Sequence, residues 1–275
     1  MTSHRPLSLE LCAAVLLAAA CTPGQREISG DVTITSTADL ERLESCVSIE
    51  GSLAVKRSEL TSLVLPHLRE LGGRLAVQKN PELKEIDLGA LEKLGGEAVV
   101  ERNGELEALD LGALVAAPRG LAVRLEPRLK RLDLKALRSA GGSGVEIADD
   151  YGIRELDLGA LAGTTRLVVG SCHRLERLDL RSLVDVRKVR ILANPHLERI
   201  LVVDPLGGDA AASERRAPAP KADQTFTAKH NNELPTCEAR RLHERLEQRG
   251  WRGRVEICEN AADTCSPVGC SDEGR

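Results

Sequence analysis

The strongest constraint on this chain is a phrase that returns. Leu-x-x-Leu-Asp-Leu-Gly-Ala-Leu occupies residues 83–91 (with Ile86), 106–114 and 153–161 (with Ile153), and near copies stand at 60–68, 129–137, 175–183 and 197–205. The leading apolar residues are Leu40, Leu60, Leu83, Leu106, Leu129, Ile153, Leu175 and Leu197, spaced by 20, 23, 23, 23, 24, 22 and 22 residues. Self-similarity at this period is the mark of a solenoid, whose units cannot bury an apolar face alone but form a continuous core when stacked. A second register repeats in step. Eight and six residues before a leader stand apolar pairs such as Leu75/Val77, Ala98/Val100, Leu121/Val123, Val145/Ile147, Leu167/Val169 and Val189/Ile191. Apolar–x–apolar spacing is a half-buried strand, with the flanking residues inward and the middle one outward. Each unit therefore reads as two short strands. Gly72–Gly73, Gly95–Gly96 and Gly141–Gly142 mark one corner, where glycine permits a turn.

Composition supports this reading. The chain has 43 leucines and only three aromatic residues, Tyr151, Phe226 and Trp251. An ordinary core draws much of its buried area from aromatic rings, whereas a stack of near-identical coils needs the same small aliphatic volume at every level. The fold class expected is mainly β: a leucine-rich parallel β-helix, or solenoid, of about eight coils. The formal net charge of −4 leaves no basic footprint for nucleic acid, and the scarcity of rings removes base stacking.

The ends differ from the body. A short basic start (His4, Arg5) and the apolar run Leu11–Ala20 precede Ala18-Ala19-Ala20-Cys21. The run is too short to span a bilayer and fits an export signal. The segment resembles bacterial lipoprotein signals, which implies cleavage after residue 20, lipidation of Cys21, a tether over 21–29 and an outer-membrane address, since Thr22 is not the aspartate of inner-membrane retention. A soluble secreted protein is the alternative. The solenoid then spans 30–206. Leu234 is a further leader, with Phe226 and Ala228 eight and six before it, but the gap from Leu197 is 37 residues. The excess marks residues 207–225 as a flexible insertion of linker composition, and 226–275 as the last coil and cap. Within the cap, Ala239, Leu242 and Leu246 share one face of a helix over Glu238–Arg249 that Gly250 stops, and Trp251 is placed to seal it. Cys237, Cys258, Cys265 and Cys270 fall together here. They allow three disulfide pairings, or a four-cysteine zinc site, although their spacings lack paired knuckles. Cys46 and Cys172 lie five coils apart, too far to bridge, and read as buried in the stack.

The stretch Leu43–Val55, with Cys46, Ile49, Gly51, Leu53 and Val55, resembles the opening of receptor L domains, a leucine-rich right-handed β-helix, and more closely bacterial exported lipoproteins built on that fold. Asn232-Glu233-Leu234-Pro235-Thr236-Cys237, followed by a helix and Val255-Glu256-Ile257, resembles their capping end. The resemblance implies the pairing Cys237–Cys265 with Cys258–Cys270. It also implies a buried structural place for Asn80, Asn103, Cys172 and Asn194, each three residues before a leader. No growth-factor ligand carries over, because likeness of fold is not likeness of function.

The most unusual polar feature is a column of aspartates, Asp87, Asp110, Asp133, Asp157 and Asp179, at the outward position of successive second strands. Aspartate is disfavoured in strands and stacked like charges repel. The column reads either as a ladder for a divalent cation or basic partner, or as one neutralised by its neighbours Lys84, Arg131, Arg177 and Arg199. No nucleophile elbow, phosphate loop or His-Glu-x-x-His motif is present, so no catalytic residue, metal or cofactor is assigned. The expected function is a monomeric, non-enzymatic recognition or scaffolding module of the cell envelope. It would touch the membrane through its lipid anchor, with a protein or glycan as partner and no nucleic acid. A polysaccharide-acting β-helix enzyme and a purely structural envelope protein are the alternatives.

Overall fold

The computed structural model describes residues 26–203 and 223–270. The signal, Cys21, most of the tether, and nearly all of the 207–225 insertion lie outside these residues. The chain forms a parallel β-solenoid of about eight coils with two helices and a C-terminal cap. Each coil carries three strand positions rather than the two read from sequence. The central row runs through Val32–Ile34, Leu53–Lys56, Leu75–Gln78, Ala98–Glu101, Leu121–Arg124 and Val145–Ala148. It continues through Gly163–Gly170, Asp185–Leu192, Thr225–Lys229 and Arg254–Cys258. A corner row of two-residue strands, such as Glu70–Leu71 and Lys93–Leu94, hydrogen-bonds alongside it. The third row carries the aspartates: Ser62–Val64, Glu85–Asp87, Ala108–Asp110, Arg131–Asp133, Glu155–Asp157, Arg177–Asp179 and Arg199–Leu201.

Register follows the repeat: Leu75, Ala98, Leu121 and Val145 are successive partners, as are Val77, Val100, Val123 and Ile147. Their side chains, with the leucines of the other rows, make one aliphatic core from Ile28 to Ile257. The middle residues of the central row depart from simple alternation. Ala76, Val99 and Ala122 point away from the core yet are 4%, 3% and 6% exposed, because small side chains lie below the level of their longer neighbours.

At two of the three corner pairs the glycines have a different cause from the one expected, whereas Gly142 takes a left-handed φ of 47°. Gly72 and Gly95 have no left-handed φ. A Cβ on Gly72 would fall 2.1 Å from the Glu50 carbonyl oxygen, and one on Gly95 would fall 2.0 Å from that of Gly72. Glycine is required there by the approach of the coil beneath. A further row of left-handed turns uses ordinary residues: Lys79, Arg102, Leu125, Asp149, Ser171, Ala193 and His230 have φ between 54° and 60°. Each follows a central strand and precedes a buried polar side chain.

Both ends differ from the repeat. Leu40 sits on a short helix, Thr37–Glu41, capped reciprocally by Ser36 and Asp39. At the other end the helix Thr236–Gln248 buries Ala239, Leu242 and Leu246. It packs against strands Arg199–Leu201 and Arg254–Cys258, so the central row runs one strand beyond it. Trp251 is buried, edge-on to both Phe226 and His243. The cap holds disulfides Cys237–Cys265 and Cys258–Cys270. Cys46 is buried as expected but is itself disulfide-bonded, and none of the other described cysteines is its partner: four pair in the cap and Cys172 is a free thiol.

Candidate functional site

Two polar columns run the length of the solenoid, and the aspartate column explains itself locally. The strand ends at the aspartate, and Oδ1 accepts the amide two residues on, in the turn. Asp87 takes the N–H of Gly89 (3.0 Å), Asp110 that of Gly112 (2.7 Å), Asp133 that of Lys135 (3.1 Å), Asp157 that of Gly159 (2.8 Å) and Asp179 that of Arg181 (3.0 Å). This is the side-chain mimic of a backbone turn that aspartate favours. The neutralising cations are not those expected. Arg177 pairs with Glu155, and it is Lys135 and Arg181, from the turn itself, that pair with Asp133 (2.8 Å) and Asp179 (2.7 Å). Among the described residues one group of three potential metal ligands converges, Cys237, Asp263 and Cys265, and its two sulfurs are joined to each other.

The second column is buried and was only partly visible in the sequence. Its members are Ser58, Asn80, Asn103, Glu126, Asp150, Cys172, Asn194, Asn231 and Asn260. Where it holds asparagine, the amide oxygen accepts the N–H of the preceding rung and the amide nitrogen donates to a carbonyl of the preceding coil. Asn80 N–H donates to Asn103 Oδ1 (3.1 Å), and Asn103 Nδ2 donates to the Val77 carbonyl (3.2 Å). Asn194 and Asn231 repeat the pattern on Val169 and Ile191. Glu126 and Asp150 occupy the two central rungs. The Glu126 carboxyl accepts from Asn103 N and Nδ2, and Asp150 Oδ1 accepts from Glu126 N (2.9 Å). Asp150 Oδ2 is buried with no partner. Burial pushes the Glu126 carboxyl up to about 9 and the Asp150 carboxyl up to about 8. Burial likewise raises the Cys172 thiol, which keeps this free cysteine unreactive.

The repeat is interrupted at one face. The third-row strands form a four-stranded sheet ending at Arg131–Asp133 and a separate three-stranded sheet beginning at Glu155–Asp157. Elsewhere the residue after each third-row strand donates to the next coil: Leu65 to Asp87 O, Leu88 to Asp110 O, Leu111 to Asp133 O, Leu158 to Asp179 O and Leu180 to Leu201 O. Leu134 makes no such bond, and Arg154 and Glu155 do not donate to the Lys130 carbonyl as their counterparts Lys130 and Arg131 do to Glu107. The central row is intact across the same junction, from Leu121↔Val145 to Arg124↔Ala148. The opening forms a cleft of about 770 Å³. Leu132 at its floor is 8% exposed, against 1% for Leu109 and Leu156 in the same column.

The sequence encodes this opening twice. Coils before it repeat every 23 residues and coils after it every 22, with one step of 24 between. In the shorter coils the corner and central strands fuse into single eight-residue strands, Gly163–Gly170 and Asp185–Leu192, so the cross-section changes at the junction. The turn residue after the aspartate also changes. Gly89 and Gly112 are packed by the next coil's aspartate: a Cβ would meet Asp110 Oδ2 at 3.0 Å and Asp133 Cγ at 2.9 Å. Lys135 stands in that place where the next coil has moved away. No family model, curated protein or solved structure matches this chain. Fold and site therefore define it as a parallel β-solenoid with a disulfide-bonded cap and, among the described residues, one gap in its third-row ladder.

Proposed function

We propose that the chain is an exported, non-enzymatic recognition or scaffolding module of the bacterial cell envelope, of receptor L-domain-like type and anchored by lipid at Cys21. The observation that carries recognition is the cleft at residues 130–135 and 152–157. Among the described residues it is the place, within the stack rather than at its ends, where repeated strands present unpaired groups and part of the core. Against an enzyme stands the distribution of proton-holding groups. Glycoside chemistry needs a carboxylic acid with a raised pKa beside the substrate. The carboxyls raised here, Glu126 and Asp150, lie in the core ladder, while the aspartates of the cleft, Asp87, Asp110, Asp133 and Asp157, cap turns. Export is supported by the disulfides of the cap, which persist in oxidising compartments.

The anchor makes a sharper demand. A Cys21 sulfur bound to lipid is not open to the disulfide of Cys46. Peptide mapping of the purified chain without reduction separates the two. A diacylglyceryl-modified Cys21 peptide supports the anchor, and a Cys21–Cys46 peptide overturns it in favour of the secreted form. Recognition itself is tested by titrating the full chain against purified envelope proteins and a glycan array. Saturable binding to one class supports it, and absence of saturable binding leaves a structural role.

A further inference from the structure

We infer that the gap between Arg131–Asp133 and Glu155–Asp157 binds an extended polypeptide segment of a partner protein, which adds to the sheet as a strand. This rests on the recognition reading and names its ligand class. The first argument is hydrogen bonding. Two strands that belong to one repeat column face each other without pairing. The Leu134 N–H and the Lys130 carbonyl, each satisfied at equivalent positions in neighbouring coils, lack their ladder partners here. Unpaired strand edges are templates for another strand, and strand addition takes its affinity from main-chain bonds and its selectivity from alternate side chains. Solenoids ordinarily confine such edges to their two ends. Here the edges lie in the middle of the molecule.

The second argument is the chemistry of the walls. The cleft has no aromatic lining residue, so a sugar ring has nothing to stack on. Its charges are of both signs, five cations among six carboxylates, and three of the cations are already engaged: Lys135 holds Asp133, Lys130 holds Glu107, and Arg154 holds Glu176. A polyanion therefore finds no concentrated positive field. The remaining offer is backbone groups above an apolar floor at Leu132, which is what an extended peptide with one apolar side chain satisfies. The volume of about 770 Å³ is that of a ligand site. The rim is set by the fold itself. Gly152 still touches the coil beneath, where a Cβ would lie 2.4 Å from the Leu129 carbonyl oxygen, and the coils part only beyond it.

The test pans a random nonapeptide library on the purified full chain and reads amide hydrogen exchange with and without the selected peptides. In the unliganded protein the Leu134 amide is expected to exchange at least about tenfold faster than those of Leu88 and Leu111, which are bonded. Selected peptides should protect Leu134 and the amides of Glu155–Asp157, and N-methylation at alternate peptide residues should weaken binding at least about tenfold. Failure to select any peptide, protection confined to other surfaces, or indifference to N-methylation would each overturn the inference. A glycan that binds saturably without protecting Leu134 would also overturn it, while leaving the recognition reading intact. Absence of binding to any class would end both.

Discussion

At the scale of single residues, the buried column shows what a carboxyl does in an asparagine slot. Each asparagine rung accepts an N–H and donates to a carbonyl of the preceding coil. A carboxylate can only accept, whereas a carboxylic acid does both. The high pKa values of Glu126 and Asp150, about 9 and about 8 and caused first by burial, keep both groups in the form the slot needs at neutral pH. Their ordinary values of 4.5 and 3.8 describe the unfolded chain. The folded state therefore binds these protons more tightly. Stability from this source is full below about pH 4, falls as the pH rises, and is lost as it passes through about 8 to 9. The double variant Glu126→Gln, Asp150→Asn supplies the N–H permanently. It should be more stable than the parent at pH 7, by roughly 1–3 kcal/mol if each amide fills its slot, and should show a flatter Tm against pH between 5 and 9. Urea denaturation across that range measures both. A parent curve that rises with pH there would show that the carboxyls are ionised in the fold.

At the scale of elements, the third row poses the question of what opens a ladder, since Pro66 and Arg181 hold the turn position of Lys135 at junctions that stay paired. Gly112→Lys places a side chain where the Asp133 carboxyl of the next coil now packs. The expected result is a second opening, between Ala108–Asp110 and Arg131–Asp133. It would be seen as faster exchange of the Leu111 amide and a loss of about 1–3 kcal/mol, the range for overpacking. Unchanged exchange at Leu111 would show that the turn glycine is not what holds these strands together. The cap offers a second test. Its rings meet at Trp251, buried against Phe226 and His243, and Trp251→Ala should cost about 3–5 kcal/mol, read as early loss of amide protection in Thr225–Lys229 and Arg254–Cys258 on heating. Two of the three aromatic residues sit here because packing in the cap does not have to repeat from level to level. The coil, the core leucines and the cap helix were legible in the sequence because periodicity reports which residues are buried. The third strand position was not: its two-residue corner strands, such as Glu70–Leu71, are too short to alternate. The Asp column was visible, but the cations expected to neutralise it were misassigned, since Lys135 and Arg181 come from the turn itself. The gap was present in the change of step from 23 to 24 to 22 and in Lys135, but spacing alone does not say that a shorter coil loses its corner.

At the scale of the whole molecule, the junction is also a mechanical feature. In a solenoid each coil contacts only its neighbours, so stability is close to a sum of coil and interface contributions. The interface across the gap keeps its central row and its share of the common core but loses one of three rows of ladder bonds. It joins a half whose last coils repeat every 23 residues to a half that ends in the disulfide-bonded cap. Leu111, fully buried in the first half, provides the test. An aspartate there places an unpaired charge in the aliphatic core, a cost of several kcal/mol. If coupling across the gap is weak, Leu111→Asp should unfold the coils on its own side and spare the other. Amides of the central row from Leu53 to Val123 would then exchange freely while those from Val189 to Ile257 stay protected, the latter half retaining its cap disulfides. Equal loss of protection on both sides would show that the central row alone transmits the full cooperativity of folding, so that the gap opens the surface without dividing the stack.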